Sequence, residues 1–373
     1  MRHLVAPLLA VVLLSTCGSE SPPYPGPPAQ RAILRVLDIN VWSGLDYQGS
    51  LKMGEYESAV VRQKRYRALL AQIRRLDPDL IGVHEANKLP EYAERLARDL
   101  GYDAFWHVGV GGVRLGKVGL PWNLREGDVI LTRRDLRGEF AGRRQLSGGH
   151  VGNFFTFHFS DATQILAVKV TNFGAPLYVF ATHWHASLHG SAPVLQELEQ
   201  SLESGAITRE EYERALQEIE DGTQWRLAEA EKSLAFIQQV AGEHPFVLLG
   251  DFNALPDSPE IRKLLDFGLV DAFAAANPGE PGYTWDPATN LNIQKHYLQR
   301  PLETAHVLVR LKRVDTATAK RVDYIFVDGR TQTLRVNAAR VVMSEIIEGV
   351  HASDHYGVFA EIAWASAAEA LRR

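Results

Sequence analysis

Phe246-Val247-Leu248-Leu249-Gly250-Asp251-Phe252-Asn253 constrains this chain more than any other stretch. Four apolar residues closed by a glycine read as a buried strand whose polar groups arrive only where the strand stops. A sheet with covered faces places its chemistry at such ends, where the backbone leaves the core and can hold side chains in a cleft. Asp251 and Asn253 are two apart, so on extended backbone they point to one side. Pro256, Asp257 and Pro259 then stop regular structure and fix an exit loop. Taken alone, the stretch fits an Asx turn closing an ordinary strand as well as it fits a site. The same pattern returns elsewhere in the chain.

Ile33 to Trp42 reads as a strand ending in Asn40, and Asp79 to Ala86 as one ending in Glu85. A glutamate there is costly to bury, so it must meet a cation or reach water. Leu177 to His185 is a third apolar strand, ending in His183, a residue type that serves structure as readily as catalysis. Asp323 opens a strand at Arg321–Val327, and Asp354-His355 precedes the last strand, Gly357 to Trp364. Between them, Tyr66, Leu69, Leu70 and Ile73 repeat at helical spacing up to Asp77-Pro78, and Pro90 to Leu100 is a helix stopped by Gly101. Gly109 to Gly119 reads as a glycine-rich loop, and Asp128 to Thr132 as a short strand. That strand runs into a basic loop with Arg133, Arg134, Arg137, Arg143 and Arg144, which either faces an anionic substrate or is simply solvated. Phe155, Phe157 and Phe159 alternate as core-facing strand positions. Leu195 to Ile219 is dense in Glu and Gln at helical spacing, and Thr208 to Glu211 forms a capping box. This predicts a helical hairpin inserted at about 187–223, with a separate helix from Trp225 to Val240 leading into the Asp251 strand. Tyr283 to Pro287 reads as a loop with exposed aromatics.

The chain has 373 residues and a formal net charge of −5. That suits one large globular domain, and the charge does not announce nucleic-acid binding. Arg2 followed by an apolar run from Leu4 to Leu14 has the shape of a secretory signal, too short for a stable membrane span. Cys17 is the only cysteine, which excludes an internal disulfide and thiolate-held zinc. Leu14-Ser15-Thr16-Cys17 resembles the bacterial lipobox, in which the cysteine is lipidated, although Thr16 departs from the usual small residue; a plain cleaved signal is the alternative. Residues 1–17 are thus expected to be a signal, 18–30 a Pro/Ser-rich tether, and 31–366 the folded domain. The expected location is the cell envelope, lipid-anchored at the outer membrane or in the periplasm.

Ile39-Asn40-Val41-Trp42, Gly82-Val83-His84-Glu85, Ala181-Thr182-His183, Gly250-Asp251-Phe252-Asn253, Val322-Asp323-Tyr324-Ile325 and Ser353-Asp354-His355 follow one another in the order of the endonuclease/exonuclease/phosphatase superfamily, which the chain resembles from about Arg31 to Trp364. The resemblance implies a four-layer α/β/β/α sandwich, two mixed sheets face to face with helices on both outer surfaces. It also implies phosphoester hydrolysis with Mg2+, or Mn2+ in its place. Magnesium takes hard oxygen ligands and keeps several waters. Glu85 would then be its direct ligand, with Asn40 and Asp354 beside it. By the same resemblance Asp251 and Asn253 orient the attacking water, and Asp323 holds His355 against the phosphate. His355 is there either a base or a charged stabiliser. His183 would assist the leaving oxygen, and His185 has no counterpart. The expected substrate is a small phosphodiester or phospholipid headgroup, sphingomyelinase-like, with nucleic acid as the alternative and a non-catalytic binding module as the third reading. The expected membrane link is the N-terminal lipid, and no obligate protein partner is expected.

Overall fold

The computed structural model describes residues 33–44, 57–111, 114–115, 118–119, 125–148, 160–171, 175–299 and 306–364. β1 (Ile33–Asn40) leads to α1 (Ala59–Leu76), which Ser58 caps by accepting from the Val61 N–H and which ends at left-handed Asp77. β2 (Leu80–Ala86) and α2 (Glu91–Leu100) follow, the latter stopped by Gly101 at φ 79°. β3 (Tyr102–Gly111), a two-residue pair β4 (Arg114–Leu115) and β5 (Val118–Gly119), β6 (Arg125–Arg133), β7 (Glu139–Gly148), β8 (Ser160–Val170) and β9 (Leu177–His183) come next. Two helices, α3 (Ala192–Glu203) and α4 (Arg209–Ala241), precede β10 (Phe246–Asp251). The remainder is α5 (Pro259–Asp266), β11 (Leu269–Asp271), α6 (Ala272–Ala276), α7 (Leu291–Ile293), α8 (Val307–Ala317), β12 (Asp323–Asp328), β13 (Leu334–Val342) and β14 (Gly357–Trp364).

Two mixed sheets result. One runs β3-β6-β2-β1-β14-β13 and the other β11-β12-β10-β9-β8-β7, joined at a corner where Val110 and Gly111 pair with Asp161 and Ser160. Among the described strands, only β1 with β2 and β9 with β10 are parallel. Strands buried on both faces lose the polar half of their alternation, which is why β10 reads as a nearly continuous apolar run, while β1 is interrupted by Arg35 and Asp38. Leu34 and Val36 point between the sheets, against Leu166, Val179 and Val247. Leu37 and Ile39 point outward under α1 and α2, and Phe180, Phe246 and Leu248 lie under α4 and α5. This is the sandwich expected, with helices outside both sheets.

Register decides which strand ends meet. β1 and β2 run in parallel to Asn40 and Glu85, and β9 and β10 to His183 and Asp251. Asp323 opens β12 opposite Asp251, and Asp354-His355 enters β14, which is antiparallel to β1. All these residues therefore fall on one rim of the sandwich.

Several local expectations change. Gly109 is not in a loop: it belongs to β3, where a Cβ would sit 2.7 Å from the Ala162 carbonyl, so glycine permits the close approach of β8. The basic stretch is not one loop either. β6 is antiparallel to β2, so Arg133 sits at the end remote from Glu85, where it meets Asp77 and Asp79; Arg143 and Arg144 lie on β7. α4 is one helix of 33 residues and passes through Gly222, so no separate helix begins at Trp225. The prolines after Asn253 do not forbid a helix: Pro259 takes its first turn, where its missing N–H costs nothing, and Ser258 caps it. β11, β13 and α8 carry too little periodicity to be read from sequence. The signal, the tether, Cys17 and the strand through Phe155, Phe157 and Phe159 lie outside the described residues.

Candidate active site

At this rim a cleft of about 670 Å³ is lined by Glu85, His183, Asp251, Asn253, Asp354 and His355, among others. Asn40 is buried at its floor. Its Oδ1 accepts from the Trp42 N–H at 2.9 Å, which fixes the amide so that Nδ2 donates to Glu85 Oε1 at 2.9 Å and Asp251 Oδ2 at 3.0 Å. Asn40 thus brackets the acids of two different sheets. Glu85 also accepts from the Ser43 N–H at 3.2 Å.

Asp251 Oδ1 accepts from the Asn253 N–H at 3.0 Å, and Asn253 Nδ2 donates to the Trp184 carbonyl at 3.0 Å. Asp251 Oδ2 lies 3.6 Å from His183 Nε2 and 3.8 Å from His355 Nδ1. Burial opposes its charge, but the two histidines outweigh burial and hold its pKa below the usual value. His355 Nδ1 is 2.9 Å from Asp323 Oδ2, and the ring packs edge-on against Trp285. Burial would lower His355, yet Asp323 and Asp251 raise it well above 6.5. His183 is raised by the same balance, burial against Asp251 and Glu85. Both rings therefore hold their protons more tightly than a free imidazole, His355 the more strongly of the two.

Asp354 takes hydrogen bonds from the Tyr297 hydroxyl at 3.0 Å and the Ser353 hydroxyl at 3.2 Å. Burial, and then the Glu85 carboxylate, push it up to about 6 against the pull of His355. Neither Glu85 nor Asp354 pairs with Lys or Arg among the described residues. Two acids with no Lys or Arg partner, set beside an amide, form a hard-oxygen donor set that fits a divalent ion. A second grouping exists: Asp251, Asp323 and His355 bring ligand atoms within 4.8 Å of one another, and Asp323 Oδ1 is buried without a hydrogen-bond partner.

Sequence reasoning missed the supports. His84, next to Glu85 on β2, lies buried between Asp38 Oδ1 at 2.8 Å and Asp128 Oδ1 at 2.9 Å. Thr284 Oγ1 takes the Val322 and Asp323 N–H groups, and Trp285 and Tyr297 wall the cleft. Each polar group interrupts an apolar strand or sits in a loop, and only the register pairs them. His185, without a sequence counterpart, lines the cleft and packs in a tilted ring contact on Trp225, with its backbone N–H held by Glu229 at 2.8 Å.

Solved structures share this fold across most of the chain. TDP2 of D. rerio in complex with single strand DNA product is 16% identical over 89% of this chain and 99% of that one, with a TM-score of 0.50. An endonuclease/exonuclease/phosphatase of Beutenbergia cavernae is 20% identical over 90% and 73%, with a TM-score of 0.54. A protein of that family from Bacteroides thetaiotaomicron is 15% identical over 90% and 98%, with a TM-score of 0.53. No curated protein matches the sequence. The model of the Endonuclease/Exonuclease/phosphatase family matches residues 39–355, a span that holds every residue placed at the cleft. With Asn40 to His355 gathered on one rim of the family's sandwich, this chain belongs to the Endonuclease/Exonuclease/phosphatase family.

Proposed function

We propose that the protein is a divalent-cation-dependent hydrolase of small phosphodiesters, with phospholipid headgroups as the preferred class. The family generally hydrolyses phosphoester bonds. The observation that carries the reading is the convergence of three pairs in one cleft: Glu85 with Asp354, Asp251 with Asn253, and His355 with Asp323.

Glu85 and Asp354 would hold the ion, Mg2+ by preference, with Asn40 keeping Glu85 in place. The Asp251, Asp323 and His355 group is the weaker choice, because His355 Nδ1 already bonds Asp323. When bound, the ion supplies charge to the phosphoryl oxygens and the leaving group. Asp251 and Asn253 orient water for in-line attack, which leaves little else for the protein to do than position and neutralise. His355, kept charged by Asp323, stabilises charge that develops on the phosphoryl oxygens. His183, at the end of β9 and partly exposed to the cleft, assists the departing oxygen.

The preference for a small substrate rests on charge. Among the described residues the lysines and arginines lining the cleft are Lys312, Arg313 and Lys320 on one wall, and Lys320 is bound to Asp315. Duplex binding draws its affinity from many neutralised phosphates, and Arg133 is at the far end of the sheet. A nucleic-acid reading has one observation in its favour, the DNA product named for the D. rerio TDP2 structure. An N-terminal lipid on Cys17 would keep the enzyme at a membrane surface; among the described residues no helix is long and apolar enough to cross one.

The test is a panel with Mg2+ and with chelator: sphingomyelin, inositol phosphates, single-stranded oligonucleotide and plasmid. Phosphocholine release that chelator abolishes supports the preference. Metal-dependent cutting of DNA at low enzyme, with no phosphocholine, would replace it with the nuclease reading, and inactivity on all four would leave a binding module.

A further inference from the structure

Behind Asn253 runs a buried polar chain that the scheme above does not use. Asn253 is left-handed, φ 46°, a sparsely populated region that asparagine tolerates better than other side chains and that its neighbours can hold or release. Its carbonyl meets His189 Nε2 at 3.0 Å. A carbonyl only accepts, so Nε2 carries the proton. On the other side of the ring, His189 Nδ1 lies 3.0 Å from Asp315 Oδ1, near the end of α8. Lys320 Nζ donates to that same oxygen at 2.8 Å and to the Asp315 carbonyl at 3.0 Å, and stands 3.4 Å from His189 Nδ1. Nδ1 therefore faces a carboxylate–ammonium pair, not an unscreened charge. His189 is 5% exposed and Asp315 1%.

We infer that His189 is a positioning residue for the attacking water: it holds the Asn253 carbonyl, and so keeps Asn253 in the geometry that serves Asp251. In that geometry the Asn253 N–H caps Asp251 Oδ1 and Nδ2 is anchored on Trp184, while Oδ1 has no partner among the described residues and is left for the water. Asp315 and Lys320 hold the ring from behind. The wall of the cleft that carries Lys312 and Arg313 is thereby tied to the catalytic loop. This rests on the hydrolase reading, and supplies it with a residue that lies in none of the six matched segments.

The test is a mutant cycle with bis(p-nitrophenyl) phosphate in Mg2+, measuring kcat and KM for wild type, His189→Ala, His189→Gln, Asn253→Ala and the His189→Ala/Asn253→Ala double variant. His189→Ala should lower kcat by about 10- to 100-fold, the scale of a small misplacement of a catalytic group, with KM within about threefold. His189→Gln can donate to the same carbonyl and should recover most of the loss. In the Asn253→Ala background His189→Ala should cost less than about threefold, because coupled residues are not additive. An equal cost in both backgrounds, or a single-variant kcat within about twofold of wild type, overturns the inference. If His189→Ala does not fold, His189→Phe, which keeps a ring and lacks the donor, takes its place. Should wild type show no turnover, the hydrolase reading fails; crystal structures of wild type and variant then decide the positioning claim. It predicts that Asn253 leaves the left-handed region in the variant, and an unmoved Asn253 overturns it.

Discussion

Lys320 lines the cleft with its side chain largely withdrawn from water, only 9% exposed. Burial lowers its pKa from 10.5 to about 8 against the pull of Asp315. Between those values the unfolded chain binds a proton that the folded chain does not, so this group makes stability rise with pH across that window. The unfolding free energy of wild type minus that of Lys320→Met should therefore grow between pH 8 and 10.5, by about 3 kcal/mol at most. Urea titrations at both ends check it, and a constant difference contradicts the burial argument. At the chemistry itself, His355→Ala should cost more turnover than His183→Ala, each in the range of about 10²- to 10⁴-fold. Steady-state rates of the two variants decide the order. His355 and His183 were legible because each closes an apolar run or precedes one. His84, His189 and Asp315 were not, since an isolated polar residue gives no sign of its partner. His84 meets Asp38 and Asp128 only through the pairing of β1, β2 and β6. Gly82 helps: a Cβ there would stand 2.7 Å from Asp38 Oδ1.

At the scale of elements, α4 shows where pattern reading stops. Its capping box at Thr208 was legible, because Thr208 and Glu211 satisfy each other's backbone donors by purely local geometry. Its length was not, because Gly222 reads as a breaker until its packing is known. A Cβ at that position would lie 2.1 Å from Ser187 Oγ and 2.6 Å from Ser187 Cβ. Glycine therefore lets the helix approach the segment that leaves β9. Gly222→Ala gains about 1 kcal/mol of helix propensity but overpacks a close contact, a penalty of about 1–3 kcal/mol. The net effect expected is a lower thermal midpoint. Adding Ser187→Gly removes the clash and should recover part of the loss but not all of it, because the Ser187 hydroxyl also accepts from buried Arg226. A single Gly222→Ala variant more stable than wild type would show that the two segments are not in contact. The same helix carries Glu229, whose carboxylate holds the His185 N–H and the Thr163 hydroxyl, so α4 is part of the cleft's frame.

For the whole molecule, the apolar runs ending in Asn40, Glu85, His183 and Asp251 made the sandwich and its rim legible, while strands without such endings, β11 and β13, stayed hidden. β13 is an edge strand with exposed Arg335 and Arg340 between its buried positions, and that dilutes the signal. The basic stretch misled for the converse reason: charge density is visible in sequence, and the direction of β6 is not. At this scale Cys17 carries its own expectation, that Cys17→Ser moves the protein from the membrane fraction to the soluble one, read by fractionation and blotting; equal partition of both forms contradicts lipidation. The central claim is that Glu85 and Asp354 hold a divalent ion that phosphodiester hydrolysis in this cleft requires. The most direct measurement is the initial rate of hydrolysis of a generic phosphodiester by wild type and Glu85→Gln, each in Mg2+ and in chelator, with circular dichroism to show that both are folded. Turnover by wild type in Mg2+ alone, abolished by chelator and by Glu85→Gln, is the predicted result. Turnover that survives chelator, or a Glu85→Gln rate close to wild type in Mg2+, would contradict it.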